Sequence, residues 1–306
     1  MAPGVLLLLD EDVRSGLTPG LAVDAAASAL VDAYRGRLAA PPRLHADLGD
    51  ISITITAGGY PKGSVGFRAY GTWPDQSDQL VVVWDEDGRI DGIVVGWELG
   101  ARRTGALGGA AAGALAPAGP CRAAVIGSGR QAWTQLWALS NVRHVEDVAV
   151  YSPHRAHRDA FASRAVDELE LPARSTGSAE DATRDATVVI LATRAAQPVI
   201  DAGWIDVGTH VTTVGPKLAS AHETPLELVE RASIVATDSP QQASSFGEPF
   251  FTDRPLTHLG GILAGTERGR TRNDEITLYC STGLAGSEVV IAQRLLQARR
   301  SQGPPS

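Results

Sequence analysis

The chain has 306 residues, enough for two domains of ordinary size. Apolar residues make up 43% and charged residues 20%, so a real core is affordable and wholesale disorder is excluded. The formal net charge is −8 with no basic block, which argues against nucleic-acid binding through phosphates.

The opening reads Met1-Ala2-Pro3-Gly4, then an apolar run over 5–9, then Asp10-Glu11-Asp12. With no basic residues ahead of it, that run is expected to be a strand and not a signal peptide. Thr18-Pro19-Gly20 suggests a turn, and 21–38 a helix, with Leu21, Ala25, Ser28, Val31 and Tyr34 at helical spacing. Pro41-Pro42 ends it. Strict alternation over 51–56 predicts a half-buried strand, and 65–70, 79–84 and 90–98 read as further strands. Asp87-Gly88 between the last two is a hairpin signal. The first part is thus a meander-like sheet with helix on one face. The apolar stretch 110–116 is broken by glycine and too short to span a membrane.

Beyond Arg122 the pattern alternates. Strands are expected at 123–126, 147–151, 187–192, 209–214 and 233–237, with helices at 130–141, 154–168 and 224–231. This is the signature of an α/β domain with a covered parallel sheet. A strand at 275–279 and a helix at 287–300 close the chain, and they are expected to return to the first domain. The predicted division is therefore 1–118 with 275–306, and 119–274. The tail 301–306 is expected to fray. Cys121 and Cys280 form no C-x-x-C pair; two reduced thiols in a cytoplasmic protein are expected, and no metal site.

Gly127-Ser128-Gly129-Arg130-Gln131-Ala132 is G-x-G-x-x-A between a predicted strand and a predicted helix. In that setting it is a dinucleotide fingerprint: a tight turn, close backbone approach to a pyrophosphate, and a helix N-terminus facing the phosphates. The plain alternative is an ordinary strand–helix turn. The second strand ends at Tyr151-Ser152 with no acid to bind a ribose diol. Ser152, His154, Arg155 and Arg158 follow instead, which suits a 2′-phosphate, so NADP(H) is favoured and NAD(H) remains possible. Thr193, Val214 and Gly215 stand at the carboxyl ends of later strands, where such sheets bind ligands.

These residues resemble the ornithine cyclodeaminase/mu-crystallin family. The resemblance rests on Pro42-Arg43, Arg103-Thr104-Gly105-Ala106, the glycine fingerprint, Leu191-Ala192-Thr193, Val214-Gly215 with Glu223, Thr237-Asp238-Ser239, and Tyr279-Cys280-Ser281-Thr282-Gly283. It implies a Rossmann-type dinucleotide-binding domain and a second α/β domain that binds substrate and dimerises. It implies hydride transfer between a nicotinamide and the α-carbon of an amino or imino acid. Arg43 and Arg103 would hold the substrate carboxylate, Arg68 would stand in for a family lysine, and the loop with Ser281 and Gly283 would line the nicotinamide.

The sequence departs from the family's cyclodeaminases at one point: Val214-Gly215-Pro216-Lys217 puts Lys217 where they carry an aspartate. A cation repels an ornithine ammonium, so Lys217 is expected to assist catalysis differently, beside Arg68. His45 could reach substrate or make a structural hydrogen bond. Glu223 is expected to open a helix, and Asp238 to orient the cofactor or cap a helix. The expected activity is NAD(P)H-dependent reduction of a cyclic or open-chain imino acid by a homodimer with a small-molecule substrate, without nucleic acid or membrane. The alternatives are an ornithine cyclodeaminase with bound NAD and a non-catalytic NADPH-binding protein like mu-crystallin.

Overall fold

In a computed structural model, which describes residues 4–73, 78–245, 247–251 and 254–301, the acidic run after the first strand opens a helix. The tail expected to fray lies, beyond Ser301, outside the described residues. Strand β1 (Leu6–Leu8) leads into α1 (Asp10–Gly16), whose first turn carries Asp10, Glu11 and Asp12, the charge a helix N-terminus favours. In α2 (Pro19–Tyr34) Thr18 is no simple turn residue. Its hydroxyl accepts from the Leu21 amide at 3.3 Å as the N-cap, and Pro19 is the first helical residue.

Strands β2 (Leu44–Asp47), β3 (Ser52–Gly59), β4 (Val65–Gly71), β5 (Leu80–Trp84) and β6 (Ile90–Val95) follow, then helix α3 (Glu98–Leu115). Next come β7 (Cys121–Ile126), α4 (Arg130–Val142), β8 (Val145–Tyr151), α5 (Arg155–Leu169), β9 (Ala173–Ser175) and α6 (Ala179–Thr183). After β10 (Val188–Leu191) and β11 (His210–Thr213) a small hairpin forms from β12 (Lys217–Leu218) and β13 (Ala221–His222). The rest is α7 (Leu226–Arg231), β14 (Ile234–Thr237), α8 (Pro240–Ala243), β15 (Thr257–His258), α9 (Leu259–Leu263), β16 (Thr277–Cys280) and α10 (Ser287–Ser301).

The chain divides into two compact units, Met1–Arg103 with Leu284–Ser306, and Thr104–Gly283. In the first unit a six-stranded sheet runs β1-β6-β5-β4-β3-β2, antiparallel except for the parallel pair β1 and β6. Helix α10 packs on α2 and on β3 to β6. Alanine and leucine make the close fit: Ala22, Ala26, Ala29 and Leu30 of α2 are wholly buried, as are Ile291 and Leu295 of α10. Strand β2 is the one the alternation did not reveal, because every one of its residues is exposed at the sheet edge.

The second unit holds an eight-stranded parallel sheet, ordered β15-β14-β16-β11-β10-β7-β8-β9. The chain winds outward from β7 through β8 to β9, then returns to β10 on the other side of β7. That reversal is the topological switch of a Rossmann-type sheet. Apolar clusters line the sheet, one around Val125, Leu136, Val148 and Val150, the other around Leu191, Val211, Leu228 and Leu278. Strand β16 lies inside this sheet between β11 and β14. A boundary at 274/275 would cut the sheet, so the strand does not return with α10 to the first unit. A short buried strand with no polar face reads alike in either domain, and only its register places it.

Helix α3 was not expected at all, since five glycines stand within its 18 residues. Packing explains two of them. A Cβ on Gly105 would lie against the Thr134 carbonyl of α4, and one on Gly108 against the Gln135 side chain. The Gln135 amide also donates to the Thr104 carbonyl at 2.9 Å. The helices touch backbone to backbone, which a larger residue would prevent.

Among the described residues no helix is long and apolar enough to cross a membrane. Both cysteines are buried and free; burial pushes Cys121 up to about 11 and Cys280 up to about 12, so neither is a reactive thiolate.

Two tests of this packing follow. Gly105→Ala is expected to lower unfolding free energy by about 1–3 kcal/mol in chemical denaturation. His210 in β11 is wholly buried between the Thr277 and Thr212 hydroxyls, at 2.9 and 3.1 Å. Burial, and then Arg270 and Arg143, push its pKa from 6.5 down to about 3. The unfolded chain binds a proton that the folded chain refuses, so stability falls as pH drops from 6.5 toward 3. His210→Gln is expected to flatten that fall by about 1.4 kcal/mol per pH unit, read from denaturation curves across the acid range.

Candidate functional site

In the second unit the fingerprint lies at the switch. The loop after β7 begins at Gly127, which has φ +117 and whose Cβ would collide with the Ala192 carbonyl beyond β10. Only glycine suits that position. Gly129 is the N-cap of α4, with no side-chain cap and nothing within 4 Å of the place a Cβ would take. The first turn of a 13-residue helix therefore opens beside free space. The Gln131 side-chain oxygen is buried without a hydrogen-bond partner among the described residues, and Arg130 is exposed. An uncapped helix start and room above glycine suit a pyrophosphate.

At the end of β8, Ser128 donates to the Ser152 hydroxyl at 3.1 Å, linking the first two loops. His154 is the N-cap of α5 and Arg155 its first residue, with 85% of the Arg155 side chain exposed. Arg158 turns back instead, donating to the Ser152 carbonyl at 2.8 Å. Of the two arginines expected near a 2′-phosphate, Arg155 reaches solvent and Arg158 braces the loop.

The loops after β10 and β11 are tied to one carboxylate. Glu223 does not open a helix, because α7 starts later. It is wholly buried and accepts five hydrogen bonds. The donors are the Thr193 amide and hydroxyl (both 2.7 Å), the Thr213 hydroxyl (2.9 Å), and the Val214 and Gly215 amides (3.1 and 2.6 Å). The amides of Thr193, Val214 and Gly215, residues expected at the cofactor-binding edge, are thus turned inward. The Lys217 ammonium closes the other side of that loop, donating to the Val214 and Gly215 carbonyls at 2.9 and 2.7 Å.

Asp238 plays the same part for the next loop. It neither faces solvent nor caps α8, whose cap is Ser239. It accepts from the Tyr279 hydroxyl (3.0 Å), the Thr282 amide (2.8 Å) and hydroxyl (2.6 Å), and the Gly283 amide (2.9 Å). Ser281 donates its amide to the Thr213 carbonyl at 3.1 Å. The Ser281–Gly283 loop is therefore fixed by its backbone, and the Gly283 amide is spent inside.

In the first unit two of the three expected arginines, Arg68 and Arg103, meet. Arg68 on β4 donates Nη1 to Glu288 Oε1 at 3.1 Å, and Arg103 on α3 donates Nη2 to the same oxygen. The opposite edge of Arg68 grips Gln79 Oε1 at 2.9 and 2.6 Å, and its guanidinium lies 4.2 Å from the Tyr70 ring centroid. Burial alone would raise the Glu288 carboxyl; Arg103, Arg68 and then Arg43 overcome it and hold it low. Burial lowers Arg68, while Glu288 draws it back up. Arg43 is half-buried at the start of β2. His45 points along the edge strand, its Nδ1 3.1 Å from the Thr54 hydroxyl, a structural bond across β2 and β3.

Glu288 is the residue that the sequence reading missed. The available signal was its spacing: with Ala292 and Leu295 it lies on the buried stripe of α10, an acid on an otherwise apolar face.

These features agree with what the chain is similar to. The family model described as the ornithine cyclodeaminase/mu-crystallin family matches residues 7–302. The chain belongs to that family. It is 28% identical to the alanine dehydrogenase of Archaeoglobus fulgidus, over 94% of this chain and 93% of that one. Its fold matches that of Thermococcus litoralis Δ1-pyrroline-2-carboxylate reductase in complex with NADH and L-proline, with a TM-score of 0.88, 26% identity and 99% coverage of both chains. An archaeal alanine dehydrogenase dimer with bound NAD also matches, with a TM-score of 0.88, 26% identity and coverage of 99% and 98%.

Glu223→Gln replaces an acceptor of five bonds with a group that must turn an NH2 toward donors. It is expected to cost about 3 kcal/mol or more in unfolding free energy. Hydrogen exchange at the Thr193 and Gly215 amides should quicken ahead of exchange in the strands.

Proposed function

We propose that this protein is an NAD(P)H-dependent reductase of an imino acid, cyclic or open-chain, and in reverse an amino-acid dehydrogenase. The observation that carries this reading is the pair of buried guanidiniums, Arg68 and Arg103, meeting at one carboxylate oxygen within a chain of this family. Two guanidiniums at that separation suit a carboxylate, the group every α-imino acid carries.

Residues Gly127 to Gln131 would hold the pyrophosphate, with Ser152, His154 and Arg155 on the adenosine side; the bound reduced nicotinamide supplies a hydride. Arg103 and Arg68, with Arg43 nearby in charge, hold the carboxylate and so fix the imine carbon, which is catalysis by positioning. Arg68 cannot readily shed a proton, and its bonds to Gln79 and Glu288 suit holding charge. Lys217, standing where the family's cyclodeaminases resemble one another in an aspartate, disfavours a substrate with a distal ammonium such as ornithine. The exposed Arg155, with no acid at the end of β8, supports NADP(H) over NAD(H). A homodimer, as in the archaeal alanine dehydrogenase, is the assembly we assign.

The test is loss of reduced-nicotinamide absorbance when the protein meets NADPH, or NADH, and a panel of cyclic imines and of keto acids with ammonia. Turnover with at least one imine, a lower KM for NADPH than for NADH, and no ammonia from ornithine are expected. Arg103→Lys should raise KM for that imine about tenfold or more and leave cofactor affinity unchanged. Ammonia release from ornithine without nicotinamide turnover would overturn the reading.

A further inference from the structure

Among the described residues, the charges around Glu288 are not balanced. Glu288 Oε1 takes both Arg68 and Arg103, so two guanidiniums share one negative charge. Arg103 is only 4% exposed, and its Nε is buried without a hydrogen-bond partner among the described residues. Arg68 directs its second edge to Gln79, a neutral acceptor. Glu288 is 2% exposed, and among the described residues its side chain meets, beyond the two arginines, its own backbone amide and the Ser287 hydroxyl, which lies 3.4 Å from Oε2. A guanidinium buried with an unused donor, inside a cluster carrying net positive charge, is a standing site for one more anion.

We propose that Glu288 is an internal counter-ion that sets how tightly the Arg68–Arg103 pair takes a carboxylate ligand. The inference rests on the assignment of this pair to the substrate carboxylate. With no ligand, Glu288 offsets the repulsion between the guanidiniums and keeps them aimed at one point. When a ligand carboxylate arrives, it draws on the N–H groups that Glu288 leaves over, and it does so against the charge of Glu288. Affinity is thereby lowered, and the amino-acid product, which carries the same carboxylate, can leave. Glu288 touches the arginines and is a positioning residue. Its side chain does two separable things: the oxygen aligns the arginines, and the charge weakens the incoming anion.

Glu288→Gln separates them, since the amide oxygen still accepts from both arginines while the charge is gone. The probe is pyrrole-2-carboxylate, a planar cyclic carboxylate, titrated calorimetrically into the full-length protein. Glu288→Gln is expected to bind it about tenfold or more tightly than wild type, the sign that Coulomb attraction predicts. Glu288→Asp keeps the charge and should show no tightening. A residue that merely stabilises the fold would not produce a gain in affinity. Because Glu288→Gln leaves two buried cations uncompensated, its melting temperature should be lower than that of wild type. Pyrrole-2-carboxylate should restore it, and the neutral pyrrole-2-carboxamide should not.

Equal or weaker binding by a folded Glu288→Gln protein would overturn the inference. So would a melting temperature that the carboxylate fails to restore. These readouts do not need turnover: a wild-type protein that binds the probe and reduces no imino acid would defeat the proposed reaction, while the ratio of affinities would still decide the role of Glu288.

Discussion

Buried carboxylates organise this molecule. A parallel sheet ends in loops, and the backbone amides of those loops need partners once the strands stop pairing. Here Glu223 gathers the loops after β10 and β11, and Asp238 gathers the loop after β16. Each sits at zero exposure, which is affordable only because four or five donors surround it. The cost of burying each charge is met by backbone groups that would otherwise be orphaned. The result is a braced carboxyl edge to the sheet, beside which α4 starts at Gly129 without a side-chain cap. The contrast between spent amides and open ones is what marks that helix start for an anion.

Glu288 follows the same logic with different partners. Its donors are guanidiniums, so the cluster is positive on balance, whereas the other two hubs, with neutral donors, keep the negative charge of the carboxylate. Arginine cannot discharge itself by losing a proton, and the imbalance is therefore permanent unless an anion offsets it. A surface arginine pair would be screened and would bind little. Removal from water strengthens the attraction between these guanidiniums and the Glu288 carboxylate.

Much of the second unit was legible in the sequence because its strands are short apolar runs between helices with clear periodicity. The fingerprint was legible for a firmer reason: Gly127 is dictated by its positive φ and by the Ala192 carbonyl. The convergence of Arg68 and Arg103 was anticipated only through the family resemblance, because the two stand on different elements and nothing local joins them. Other features were hidden. Helix α3 was masked by glycines whose purpose lies in another helix, at Thr134 and Gln135. Strand β2 has no buried side to create an alternation. The hubs at Glu223 and Asp238 were seen as residues but not as hubs, since their donors lie up to 45 positions away along the chain. Thr193, Val214 and Gly215 stand at the expected edge, yet their amides serve the fold.

The placement of α10 also shapes the order in which the chain can assemble. Residues 104–283 are one continuous stretch, so the second unit can close on itself as soon as that stretch is available. The first unit cannot. Its sheet is laid down early, but the helix that packs on α2 and on β3 to β6 arrives after all of the second unit. Until then the apolar face of that sheet waits uncovered, with Arg68 and Arg103 lacking Glu288. During synthesis the first unit is therefore the one exposed to misassociation, and the last fifteen residues of helix are what end that exposure.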